Sequence, residues 1–549
     1  MQVHPSQRNP EVAEAELRAL LSHLLEAGDQ ERLIETLVEL YGKISRENDR
    51  LRVQIFELTH RVHGRSSEKV DPNALRKALE EIRAREFALQ DEATPEPAPD
   101  EPAVKAPPEP KSKRDMKAHP GRAPLPEHLP RVERRHDLPE ADRVCGSCHR
   151  IMQPIREESR PRLDFIPSRF VVVCDITPVY ACSCGDSAPV TAPMPPRVID
   201  GGLPEPGLLA HVAILKYEDH LPLHRQAKIF AREGVTISAN TLGDWIRATA
   251  TLLAPLARRI HRRVVRSWLI QSDDTGLLVL AQDSPQGARK GRIWANVGEG
   301  RFVSYQYSPD WKHEHPARFL QGCAGYLQTD GYKGYDALTG GPDLAIRVGC
   351  FMHVRRYFVK AFRARALDAA VPIDLIQRLY RIERASKDAG EDGDARLLRR
   401  RQESAPLMAE LDAWLDKHDG RHEPRSPLGK AITYLKNQRG ALGAFLLDGR
   451  IELDNGAVER ALRGIAVGRH NWLFAGSDAG AERAAILYTV IMSAKLHGLE
   501  PYAYLRDVLA KLGAGWPIRR LDELMPDRWG QERGITPPPL PVTEIRDET

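Results

Sequence analysis

Apolar positions along the chain change period several times, and each change marks a different kind of element. Leu37, Ile44, Leu51 and Leu58 recur every seven residues, with Leu33, Leu40 and Ile55 near them, which predicts a short coiled coil. Glu47 and Gln54 fill the alternate core positions and weaken the seam, so an amphipathic helix packed on its own chain competes with a dimer. Residues 91–125 hold so much Pro and charge that they cannot bury a core, and they read as an extended linker. FVVVCDITPVYAC, ending at Cys182, is strand-like. LPLHRQAKIFAREGVTISANTLGDWIRATATLL has the layout of a helix-turn-helix. One helix runs through Phe230, a turn falls at Gly234, and Ser238 caps a second helix carrying Trp245 and Arg247. Alternating strand patterns then occupy QSDDTGLLVL and GYLQTDGYKGYDAL, and LDNGAVERALRG opens a helix at the Asn455-Gly456 turn signal. Between the last two, DLIQRLYRIERASKDAG and ARLLRRRQESAPLMAELDAWLDKH favour helix and predict a helical insertion at about 366–450.

Composition narrows the picture only a little. The 549 residues are enough for several domains, and a 42% apolar fraction is enough for real cores. Lys and Arg number 80 against 76 Asp and Glu, so a net charge of +4 is no signature of a nucleic-acid binder, and any DNA-binding surface must come from local clustering. No apolar run approaches the roughly 18 residues of a membrane span, and MQVHPSQRNPEVAEAELRALL has charges and Pro where a signal peptide needs an apolar stretch. A soluble, cytoplasmic protein with no membrane partner is expected.

Five of the seven cysteines fall in one window: Cys145, Cys148, Cys174, Cys182 and Cys184. CGSC followed by CSC, with a strand-like run between, suggests a zinc ribbon in which Cys145, Cys148, Cys182 and Cys184 clamp one structural Zn²⁺. His149 is an alternative ligand, and Cys174 fits a plain buried thiol. A disulfide framework competes with this reading, but is disfavoured in a large cytoplasmic chain.

The acidic motifs carry the chemistry. Asp273, Asp330 and Glu459 each sit in a distinctive run, and three converging carboxylates are what a two-metal phosphoryl-transfer site requires, with ions roughly 4 Å apart. Asp330 follows a short apolar strand and precedes a Gly-rich bend, where a side chain can face a cleft. Glu459 and Arg463 lie one helical turn apart, which a solvated ion pair would also explain. HVRRYFVKAFRARAL presents His353, Arg356, Lys360 and Arg363 at helical spacing, either a basic face for phosphates or an ordinary solvated face opposite Phe358 and Phe362. Arg460, Arg463, Arg469 and Trp472 follow Glu459 in a segment able to hold an unpaired base, although Trp472 also suits a core.

SDDT, TDGYKGY, GCFMHVRRYF, DNGAVERALR and GRHNWLFAGSDAGAERAAILYTVIMSAKLHGLEPYAYLRDVL together resemble the transposases of the insertion-sequence-66 family, from the amino-terminal helical segment to near residue 530. That resemblance implies a DDE transposase: Asp273, Asp330 and Glu459 as catalytic ligands of two Mg²⁺ or Mn²⁺ ions, and His353 and Arg356 as active-site support. The family usually has Asp-Glu-Thr where this chain has Asp273-Asp274-Thr275, leaving Asp273 or Asp274 as first ligand, with Asp273 preferred. The family often has two Asn where this chain has Asn455-Gly456, and a CxxC knuckle where this chain has CxC.

The expected fold is multidomain α+β: a helical or coiled-coil segment (1–90), the linker (91–125), a zinc-ribbon-like β module (126–196), helix-turn-helix-like helices (197–265), an RNase H-like α/β core with its helical insertion (266–498), and a C-terminal helical segment and tail (499–549). The expected function is cleavage and strand transfer on the terminal inverted repeats of a bacterial insertion sequence. Terminal-repeat and target DNA, other copies of the chain in a synaptic complex and element-encoded accessory proteins are the expected partners, with a nucleoid-associated location. A catalytically inactive transposase-derived DNA-binding protein and a metal-dependent nuclease are the alternatives.

Overall fold

A computed structural model of the chain describes residue 25 and residues 30–37, 70–91, 170–175, 179–180, 190–191, 196–281 and 284–538. It divides into two compact units, one of residues 1–94 with 175–549 and one of residues 95–174. The cysteines Cys145, Cys148, Cys182 and Cys184, His149, most of the 91–125 segment and the heptad positions from Leu40 to Leu58 lie outside the described residues. Cys174 is described, and is exposed rather than a buried thiol. Residues 30–37 are helical, with Ile34 and Leu37 exposed. Helix α1 spans Pro72–Asp91, and a two-residue ladder pairs β1 (Val179–Tyr180) with β2 (Val190–Thr191) antiparallel.

Helices α2 (Pro206–Tyr217), α3 (Leu223–Arg232) and α4 (Ala239–Val265) follow. Ser238 caps α4 through its Oγ, which accepts from Thr241 N at 3.0 Å, and Gly234 takes the left-handed turn at φ +84° that lets α3 reverse into it. At 27 residues α4 is longer than a compact reading helix, and its buried Leu253, Leu256 and Ile260 belong to a face packed on the sheet.

The sheet holds five strands in the order β5-β4-β3-β6-β7: β3 (Leu269–Leu280), β4 (Ala288–Gly298), β5 (Phe302–Ser308), β6 (Tyr326–Gln328) and β7 (Ile346–Val348). β3, β4 and β5 run as an antiparallel meander, and β6 and β7 add parallel to β3. Glu299 and Gly300 both have positive φ and Arg301 N donates to Gly298 O, so the β4–β5 connection is the mirror-image turn whose twist matches a hairpin. The outer edge of β5 is covered by α12 (Asp478–Leu496). Val303 N donates to Ser493 Oγ at 3.2 Å and Tyr305 N to Thr489 Oγ1 at 2.9 Å, which satisfies the edge amides and blocks strand addition.

Short α5 (Glu314–Phe319) precedes β6, and α6 (Phe351–Arg363) follows β7. Four helices occupy most of residues 370–442: α7 (Ala370–Asp388), α8 (Gly393–Arg399), α9 (Ala405–His418) and α10 (Pro427–Leu442). Of these, α7, α9 and α10 share one apolar core with Val354 and Phe358 of α6, and Leu75 and Ala78 of α1 dock onto it. A π-helical step at Arg400–Ser404 turns Arg400 into that core, where it is fully buried. Its guanidinium grips Glu383 with two 2.7 Å bonds and reaches the carbonyls of Phe445, Asp448 and Ile451. Arg396 lies 3.7 Å from Glu452, and Arg399 pairs with Glu391 and Glu403. These arginines of the Arg-rich stretch are therefore largely spent on internal ion pairs. The segment they fix leads into α11 (Gly456–Trp472), the helix that carries Glu459. Helices α13 (Pro501–Gly513) and α14 (Pro526–Glu532) close the described chain.

Candidate catalytic site

Successive residues of a strand face opposite sides of the sheet, so Asp273 and Asp274 must part company. Asp273 turns toward α6 and α11, and one ligand atom from each of Asp273, His353 and Glu459 lies within 4.8 Å of the others. Asp274 turns to β4 and the loop after β5. Its Oδ2 lies 2.9 Å from Arg292 Nη1 and its Oδ1 accepts from Trp311 Nε1 at 3.0 Å. Burial pushes the Asp274 carboxyl up to about 6 despite those two partners. Asp273 is pushed to about 8, first by burial, then by the nearby Asp330 charge. Asp330, just beyond β6, is outside the 4.8 Å trio, and its carboxyl is raised by burial against the opposing pull of Tyr332 N–H and Arg347.

The chain holds this crowd in place through buried amides. Gln271 and Gln328 are register partners on β3 and β6, and each precedes an acidic residue by two positions, Asp273 on the same face of β3 and Asp330 just past the end of β6. Gln271 Nε2 donates to Gln328 Oε1 at 2.8 Å and to Asp454 O at 3.0 Å, while its Oε1 accepts from Ala457 N at 3.0 Å. Gln328 Nε2 donates to Glu452 O at 2.8 Å. The glutamine pair thus binds the strands that carry Asp273 and Asp330 to the first turn of the helix that carries Glu459. The DNG run completes the joint. Asp454 Oδ1 accepts from Gly456 N at 2.8 Å, its Oδ2 accepts from Tyr380 of the insertion at 2.6 Å, and Cys350 Sγ donates to Asn455 Oδ1 at 3.1 Å.

Two basic side chains stand beside Glu459. His353 Nε2 is 3.7 Å and Arg356 Nη2 3.6 Å from Glu459 Oε1. Burial and the Arg356 charge lower His353 to about 4, so the ring is neutral near pH 7, and its Nδ1 is buried without a hydrogen-bond partner. A neutral imidazole beside the Asp273 and Glu459 carboxylates, with Asp330 nearby and Asp273 held protonated at neutral pH chiefly by burial, is a donor set that fits divalent cations.

Residues 201–483 match the profile described as "Transposase IS66 family", residues 489–526 the "IS66 C-terminal element", and residues 50–134 "Transposase C of IS166 homeodomain". The chain belongs to the IS66 transposase family. It is 34% identical over 427 residues to the uncharacterized protein y4qI of Sinorhizobium fredii, covering 74% of this chain and 78% of that one. Protein y4jD of the same organism is 34% identical over 420 residues, 74% of this chain and 81% of its own length, and y4hP is 32% identical over 441 residues, 76% and 78%. Like this chain, these relatives align over most of their length.

Other residues singled out in this IS66 family chain are more scattered. Arg469 Nη1 donates to Thr275 Oγ1 at 2.9 Å and Gly276 O at 2.8 Å, tying α11 to β3. Arg460 lines a cavity of ≈350 Å³ with Glu452, Asp454 and Lys495. Arg463 is exposed, and Trp472 is half-buried near the end of α11. Sequence reasoning missed Gln271, Gln328, Tyr380, Arg292 and Trp311. The first two had left a trace: QSD and QTD repeat one Gln-x-Asp pattern at two distant strands. Trp311 lies stacked on Tyr332 at 4.6 Å with the Arg292 guanidinium 4.3 Å from its ring, an arrangement that needs the folded loop and left no mark in the sequence.

Proposed function

We propose that this chain is a DDE DNA transposase of a bacterial insertion sequence, cleaving and joining DNA at the element's terminal inverted repeats. In this reading the five-stranded sheet is an RNase H-like core and Asp273, Asp330 and Glu459 hold two Mg²⁺ or Mn²⁺ ions. The observation that carries it is the meeting of Asp273 from β3 with Glu459 from α11 beside His353, with Asp330 at the β6 end near enough that its charge, after burial, helps raise Asp273 to about 8. Bound ions of that kind activate the attacking oxygen and stabilise the leaving one. The chain's own residues do the rest. The Gln271–Gln328 pair keeps Glu459 at its distance from the strand carboxylates, and Arg356 offers guanidinium donors to a phosphate oxygen beside Glu459. His353, neutral, accepts hydrogen bonds or coordinates without adding charge. DNA-end recognition belongs, in this reading, to the helices before β3 and to the cysteine-containing segment with its structural Zn²⁺, in a synaptic assembly of at least two copies, with element-encoded accessory proteins as further partners.

The test is a strand-transfer assay with the full chain, labelled DNA carrying the ends of its own element, and Mg²⁺ or Mn²⁺, run beside Asp330→Asn. Joined product from the wild type alone supports the transposase. Full joining by Asp330→Asn overturns the site. End binding without cleavage in both proteins indicates the inactive DNA-binding derivative, and cleavage without joining indicates the nuclease.

A further inference from the structure

A second cluster lies in the helical insertion, away from the carboxylates. Asp368 sits in the single turn Leu367–Ala369 between α6 and α7, His418 ends α9, and His422 follows in the turn toward α10. One ligand atom from each lies within 4.8 Å of the other two, and all three residues are half-buried. The imidazoles are arranged as ligands usually are. His418 Nδ1 lies 2.8 Å from Trp414 O, a bond that places the proton on Nδ1 and leaves Nε2 with its lone pair. Its ring stacks on Trp414 at 4.2 Å, and His422 lies parallel at 5.9 Å and 11°. Gly420, at φ +73°, makes the tight reversal that returns His422 toward His418.

We propose that Asp368, His418 and His422 form a transition-metal site, with Zn²⁺ as its occupant. Two imidazoles and one carboxylate suit Zn²⁺ and its neighbours rather than Mg²⁺, which takes oxygen ligands, and three protein ligands leave a fourth position for water. The ion would clip the α9–α10 turn to the α6–α7 turn. Phe358 of α6 already packs on Trp414 of α9 there, with the ring centroids 5.5 Å apart, so the clip closes an existing contact. The site is independent of the carboxylate cluster and of the cysteines, and stands or falls without them.

The experiment loads the full chain with Zn²⁺, desalts it and measures zinc per chain for wild type, His422→Gln and the His418→Gln/His422→Gln pair. A parallel Co²⁺ titration separates ligand classes, because His and Asp give a visible d–d band without the thiolate charge-transfer band of cysteine ligands. The wild type is expected to hold one more zinc per chain than the double variant and to show the Co²⁺ band that the variant lacks. Loss of one supporting partner alone weakens metal sites about 10–100-fold, and His422→Gln, which removes a ligand itself, is expected to lose at least as much affinity. Equal zinc content and identical Co²⁺ spectra in wild type and in a folded His422→Gln overturn the proposal.

Discussion

Two regions of the protein bury charge, and they do so in opposite ways. At Arg400 each of the guanidinium's five N–H groups has a partner: two bonds to Glu383 and one each to the carbonyls of Phe445, Asp448 and Ile451. At the sheet, Asp273 and Glu459 meet beside His353 with the Asp330 charge nearby, and His353 and Arg356 lie 3.6–3.7 Å from Glu459. The first arrangement is electrostatically closed, and its work is to hold the segment before α11. The second is open, and burial together with the neighbouring carboxylate charge favours a proton on Asp273. The contrast is between a buried charge with every bond made and a carboxyl that burial drives toward its neutral form.

The sharpest way to break that comparison is to neutralise the open cluster. Asp330→Asn is expected to lower strand transfer by about 10³-fold or more while end binding persists, since several kcal/mol of transition-state stabilisation leave with a metal ligand. Asp274→Asn is expected to cost far less in the same assay, because Asp274 faces Arg292 and Trp311; equal losses would sink the distinction between the two aspartates. Breaking the closed cluster is expected to act on stability. Arg400→Met strands Glu383 and is expected to lower unfolding free energy by about 3–5 kcal/mol in denaturant titration, with Arg400→Met/Glu383→Met recovering part of it. An unchanged midpoint for the single variant would remove Arg400 as the anchor.

Between the two lies the glutamine joint. Gln271→Ala is expected to reduce strand transfer about 10–100-fold with DNA binding retained, by releasing the start of α11 from β3. A parallel drop in end binding would point to general unfolding instead. The smallest effect is the pH dependence. Because the folded Asp273 carboxyl is raised to about 8, it contributes stability that is present below its ordinary range and lost as pH rises through about 8. The metal-free chain is expected to lose stability over that window, Asp273→Asn to flatten the slope, and Mg²⁺ to reverse it by replacing the proton. A slope unaltered by Asp273→Asn would mean that another group sets it.

Much of the fold was legible from local signals. The helix cap at Ser238, the turn at Gly234, the strands around QSDDTGLLVL and the helical run from 370 to 442 follow from capping, glycine geometry and periodicity that neighbouring residues fix among themselves. The candidate site was legible in its acidic motifs but not in its support. Gln271 and Gln328 lie 57 residues apart, and Tyr380 and Asp454 lie 74 apart, so their pairing exists only once the sheet and insertion have closed. Nothing local in the Arg-rich stretch foretold a buried side chain, since arginine is rarely buried, and it took a π-helical step with a complete set of acceptors to bury Arg400.

By itself, then, the sequence determined the elements, their order and the three acidic runs, since those depend on spacing and local chemistry. Only the tertiary structure decided that Asp273 and not Asp274 meets Glu459. Alternation puts the two aspartates on opposite faces of β3, but which face becomes the site is set when β6 docks beside the strand and α11 is drawn against it by Gln271.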